Sequence, residues 1–141
     1  MPYVTKADLV RRYTETKLRQ LTDREAPYTG AIVDTVLEQA IASADSVIDG
    51  HLSGRYTLPL TVVPPLLTDV AARLAVAALH VDTAPEKITA DCQAAIRTLR
   101  DIAAGTVQLD VGGVEAAPAA PAGIEVDAAP RAFGRENLRD W

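Results

Sequence analysis

The stretch from Pro64 to His80 constrains the fold more than any other part of the chain. It reads PPLLTDVAARLAVAALH, and between Asp69 and His80 only Arg73 is charged. A proline at the first helical position is pre-organised, because its missing N–H would have no intrahelical partner there. The spacing therefore predicts a helix that starts at Pro64 or Pro65 and runs to about His80. Leu66, Leu67, Val70, Ala71, Leu74, Ala75 and Ala78 recur at steps of three and four and mark its buried side. Such a helix is apolar nearly all round, which places it at the centre of a core or in a subunit interface.

The flanking sequence supplies helices to cover it. Asp34 reads as the N-cap of a long helix to about Ser53. Val36, Leu37, Ala40, Ile41, Ala44, Val47, Ile48 and Leu52 form its stripe, and Glu38, Asp45 and Asp49 lie largely off it. Gly50 and Gly54 weaken its last turns. An apolar loop follows, Arg55 to Leu60, with Pro59 inside it. Thr83-Ala-Pro-Glu86 reads as a capping box for a second long helix over 84–104. Its stripe is Ile88, Cys92, Ala95, Ile96, Leu99 and Ile102, with Gly105 as its C-cap. Thr106 to Leu109 alternate enough for one short strand or extended segment. Near the start, Thr5 and Asp8 announce a short helix ending near Tyr13, and a second short piece covers Glu15 to Leu21.

The expected fold is thus mainly α. It is a small bundle of four to five helices, two long ones around a central apolar one, with a short extended segment and an extended C-terminal arm. Ile41, Ile48, Tyr56, Pro59, Pro64, Pro65, Leu67, Val70, Leu74, Ile96 and Leu99 are the expected core and structural positions. Three divisions follow: a helical body over 1–110, a linker over 111–130 and a tip over 131–141. Seven Ala, three Pro and three Gly fill thirteen of the linker's twenty places, a composition that makes it a spacer, partly polyproline-like. Those alanines also inflate the apolar fraction of 48%. The only Phe and the only Trp lie in the tip, with three Arg. Aromatic and arginine side chains are enriched at interface hot spots. Arg131, Phe133, Arg135, Leu138, Arg139 and Trp141 are therefore the candidate interface residues, on a tethered segment that gains effective concentration from its tether.

The same residues narrow the function. One cysteine, Cys92, permits neither an internal disulfide framework nor a Cys-rich zinc site. No apolar run is long enough for a membrane span, and no secretory leader is expected from MPYVTKADLVRRY. The net charge of −5 disfavours non-specific nucleic-acid binding. His51 and His80 end two different helices, where the dipole alone favours them. Asp45 and Asp49 share a helix face, but no further ligand completes a metal site. No enzymatic constellation, cofactor or metal is expected. Charge is also polarised. Residues 1–24 carry six basic and three acidic side chains, whereas residues 25–110 carry five and eleven. This reads either as two solvated faces or as head-to-tail matching between neighbouring subunits.

Several segments together resemble the head–tail connector, or adaptor, proteins of Mu-like bacteriophages. They are YVTKADLVRR at Tyr3 to Arg12, QLTDR at Gln20 to Arg24 and LEQAIASADSVIDGHLSGRYTLPL within Val36 to Leu60. VPPLLTDVAARLAVAAL, the Pro85–Ala104 helix, Gly105 to Leu109 and the ending FGRENLRDW complete the resemblance. It implies a structural protein of the virion neck, made in the bacterial host cytoplasm. Its copies would form a ring, twelve in number, under the portal. That ring would extend the DNA channel, let DNA pass without sequence-specific binding, and dock the next neck or tail-completion protein. The C-terminal arm would clasp the portal or a neighbouring copy. The alternative is a small helical regulatory or DNA-binding module using the basic residues of 6–24.

Overall fold

The structure, a computed structural model, describes residues 2–111. Five helices follow in order: α1 (Lys6–Tyr13), α2 (Glu15–Thr22), α3 (Asp34–Leu52), α4 (Pro65–Leu79) and α5 (Glu86–Ala104). The near-uniform apolarity of α4 has the first of its two expected outcomes. The helix lies between α3 and α5 and packs along both, while α3 and α5 also touch. Cover on two sides broadens its buried face to Ala72, Val76 and Leu79. Leu66 in the first turn and Ala78 near the last fall outside that cover and are exposed, contrary to the periodicity. The short α1 and α2 pack on each other, and α2 reaches α3.

Helix starts differ from the sequence expectation in two places. Asp34 is the first residue of α3 rather than its cap, and Val33 takes the cap position. The buried Thr22 explains this: its hydroxyl accepts the Val33 N–H (3.1 Å) and donates to the Leu18 carbonyl (2.9 Å), tying the end of α2 to the start of α3. At α5 the capping box over Thr83 and Glu86 does not form. Pro85 is the cap and Glu86 the first helical residue, so Thr83 stands two residues outside and caps nothing. At α1 the box is complete, with Thr5 and Asp8 bonding each other's backbone N–H.

Most expected core positions are buried: Ile41, Ile48, Tyr56, Leu67, Val70, Leu74 and Leu99. Pro64 is buried as the α4 cap, and its carbonyl accepts from Leu67 and Thr68. Pro65 and Pro59 are exposed instead. Pro65 directs its ring outward in the first turn of α4. Pro59 follows a cis peptide in the loop, where Tyr56 and Leu60 do the filling. Ile96 and Cys92 are only half-buried, because α5 is an outer helix with one covered side.

Gly105 closes α5 in the left-handed region (φ +85°), as a C-cap glycine should. No strand occurs among the described residues; 106–109 is irregular. Its anchor is polar and apolar at once: the Leu109 N–H donates to the Tyr56 hydroxyl (3.0 Å), and Leu109 and Val111 are buried. The body therefore extends through Val111, the residue at which the linker was expected to begin.

Candidate assembly surface

The six candidate interface residues, Arg131, Phe133, Arg135, Leu138, Arg139 and Trp141, lie outside the described residues. What the structure does place is the surface available to partners, and it differs from the charge map of the sequence. Much of the basic N-terminal segment is engaged internally. Lys6 pairs with Asp34 on α3, Arg11 with Asp8, and Arg12 with Asp69 on α4, which Arg73 also holds at 2.9 Å. The Arg12 guanidinium lies 5.7 Å from the Tyr13 ring centre. Each exposed pair contributes roughly 0–1 kcal/mol at most. Their role is positional, since they lay α1 across the starts of α3 and α4.

Asp45 and Asp49, which lie off the apolar stripe of α3, hold Tyr3 near the start of the chain. The Tyr3 N–H donates to Asp45 (3.1 Å) and the Tyr3 hydroxyl donates to Asp49, while Tyr3 and Val4 are buried. Burial, then the Asp49 bond and the two negative charges, push the Tyr3 phenol above its ordinary range. Burial raises the Asp45 carboxyl as well. Both histidines are turned to their own helices, His51 Nδ1 to the Val47 carbonyl and His80 Nδ1 to the Val76 carbonyl, each at 2.8 Å. Among the described residues no three His, Cys, Asp or Glu side chains gather as a metal site would require.

A concavity of about 980 Å³ opens where the α2–α3 loop meets the α4–α5 loop. The α2–α3 loop folds around Asp23. One of its carboxylate oxygens accepts the Thr29 N–H (3.1 Å) and the other the Gly30 N–H (2.9 Å). These bonds hold the Asp23 carboxyl below the usual range. Gly30 has φ +70°, which the turn needs and L side chains resist. Arg24 ties the loop to the end of α4 through the Leu79 carbonyl. The groove is floored by Val33 and Val36, and its apolar lips, Tyr28 and Val81, are 70% and 71% exposed. Its rim carries Asp23, Glu25 and Asp82. In the sequence, Pro27, Thr29 and Gly30 mark this stretch as a loop and no more. The overlooked signal was a large aromatic residue inside a turn cluster, with a valine directly after the last helical turn of α4.

Residues 3–128 match the family described as Bacteriophage Mu, Gp36. The chain belongs to that family. Gene product J of Escherichia phage Mu is 38% identical over 139 residues, covering 96% of each chain. The Mu-like prophage FluMu protein gp36 of Haemophilus influenzae (strain ATCC 51907 / DSM 11121 / KW20 / Rd) is 27% identical over 139 residues, 99% of this chain and 97% of its own. Membership of the Gp36 family makes this a protein of Mu-like bacteriophages, as the N-terminal, GRYTLPL and Pro-started segments had suggested. The family match spans the whole described body and most of the Ala/Pro-rich stretch beyond it. No helix among the described residues is long and apolar enough to cross a membrane.

Proposed function

We propose that this Gp36-family chain is a structural head–tail connector of a Mu-like phage particle, without catalytic activity. Its copies form a ring under the portal at the capsid vertex, continue the DNA channel, and present a docking surface to the next neck or tail protein. Passing DNA is in contact with the ring but is not read. The observation that carries the reading is the likeness to gene product J of phage Mu, 38% identical over 96% of each chain. The body supports it in kind: a tightly packed aliphatic bundle whose charged side chains brace its own helices. That bracing also weakens the nucleic-acid alternative, because Lys6, Arg12 and Arg24 serve intramolecular contacts.

The test is reconstitution. Purified full-length chain is added to DNA-filled, portal-bearing heads that lack it, and the vertex is imaged by electron microscopy. A ring of density below the portal is expected, together with gain of tail attachment. Heads that stay bare at saturating chain overturn the reading. In the same assay, removing residues 131–141 is expected to leave the helical signal intact and reduce attachment. Undiminished attachment would show that the segment is not the portal-side contact.

A further inference from the structure

Among the described residues five large apolar side chains are exposed, and four of them fall into two groups. Tyr28 and Val81 stand at the mouth of the acidic-rimmed groove. Val62 and Leu66, at 52% and 39%, adjoin Val63 and Pro65, which line a second hollow of about 460 Å³ between α1 and the start of α4. We propose that the groove of one copy docks on the hollow of a second copy, so that Tyr28 of the one seats against Val63 and Pro65 of the other. The inference rests on the connector reading for one premise, that copies of the chain meet, and adds which surfaces do so.

Charge selects this pairing. The hollow is lined by Arg11 and Arg12 together with Asp8 and Asp69, and Asp69 is already shared between Arg12 and Arg73. The Arg11 side chain is 78% exposed, and Asp8 is its one ion-pair partner among the described residues. Basic charge is therefore in excess there. Around the groove, Asp23, Glu25 and Asp82 stand against Arg24 alone, and the Arg24 guanidinium donates to the Leu79 carbonyl. Acidic charge is in excess at this end. Docking brings Glu25 of one copy to Arg11 of the next and lays the Tyr28 ring within reach of the same guanidinium. Apolar burial supplies the affinity. The charges fix the partner, because groove against groove or hollow against hollow would bring like excesses together.

One chain cannot join its own two surfaces. Pro65 is the first residue of α4, and Val81 lies two positions beyond its last, Leu79. A helix of 15 residues is roughly 22 Å long, so the surfaces sit at opposite ends of it. The contact is thus head to tail rather than two-fold symmetric. Contacts of that kind propagate, closing into a ring or running on as a filament according to the rotation between neighbours. Each copy in such a series covers Tyr28 and Val81 on one side and Val62 and Leu66 on the other.

Sedimentation velocity of the full chain, from micromolar to millimolar concentration, reads the contact directly. Larger species are expected to grow in as concentration rises. Arg11→Glu and Glu25→Arg should each weaken association about ten-fold with the circular dichroism unchanged, because like charges then face each other at every junction. An equal mixture of the two variants should restore association, since every junction between unlike variants again pairs opposite charges. If either variant lost helix, Tyr28→Ser and Val62→Ser would replace the pair. Each should weaken association, and their mixture should recover it only as far as dimers. A chain that stays monomeric throughout overturns the proposal. Association that survives either substitution does the same, as does a loss that the mixture fails to restore, because the contact then lies elsewhere or is two-fold symmetric. Heads that stay bare on reconstitution bear on the connector reading alone, so the two can fail separately.

Discussion

The two ends of the three long helices are closed by different physics. At one end, the 53–64 loop and residues 105–111 turn Tyr56, Leu60, Leu109 and Val111 inward, and a single buried hydrogen bond joins the two segments. At the other, the α2–α3 loop is shaped by the Asp23 carboxylate and leaves Tyr28 in water, beside the exposed Val81 of the α4–α5 loop. The loop fastened by burial turns Tyr56 and Leu60 inward and leaves Val62 as its exposed large apolar side chain, at 52%. A loop fastened by hydrogen bonds to one carboxylate keeps its shape and its apolar side chains free at once. The closed end therefore buries most of its large apolar side chains, whereas the open end keeps Tyr28 and Val81 in water.

The largest perturbation tests what both ends share. Leu74 is buried on α4 between α3 and α5. Leu74→Asp places a carboxylate there with no partner, a loss on the order of 4 kcal/mol or more. Both ends should be lost together, seen as a collapsed or absent thermal transition by circular dichroism. Retention of the wild-type melt would mean that α4 is not the central element. A smaller substitution separates the ends. Tyr56→Phe keeps the ring but strands the buried Leu109 N–H, a loss of about 1–3 kcal/mol. Amide exchange should quicken at Leu109 and Val111 while the amides of Thr29 and Gly30 keep their rates. Equal acceleration at both ends would show that the distinction between them is false.

The pattern of what sequence revealed follows the same division. Helices α3, α4 and α5 were legible because apolar periodicity reports burial along a regular element, and Gly105 because a left-handed C-cap has few alternatives. The Thr5 cap with Asp8 in the first turn was legible since both lie within one turn, although their reciprocal box came only with the structure. Features that depend on distant partners were not. The shift of the α3 cap to Val33 is set by Thr22, eleven residues earlier in the chain. The binding of Asp45 and Asp49 by Tyr3 crosses more than forty positions. Leu66, Ala78 and Pro59 were misplaced because periodicity gives the direction of a side chain but not whether a neighbouring element covers it. The groove was illegible for the same reason: two loops far apart in sequence make it, and neither has an unusual composition alone.

The smallest expected effect probes the open end directly. Asp23 has a lowered pKa in the folded chain because its charged form accepts the Thr29 and Gly30 N–H groups. A depressed folded value means that the unfolded chain takes up protons first. The contribution is thus fully present above the ordinary value of 3.8 and is lost as the pH falls through the depressed one. Asp23→Asn retains a single carbonyl acceptor for two donors and carries no charge. At neutral pH it should lower the urea midpoint by less than Tyr56→Phe does, and its deficit against the unsubstituted chain should close as the pH drops well below 3.8. Exchange at Thr29 and Gly30 should accelerate, with Leu109 unaffected, the mirror image of the Tyr56→Phe result. A pH-independent deficit would mean that the loop owes its shape to packing, as the closed end does, and the contrast between the two ends would then fail at its physical root.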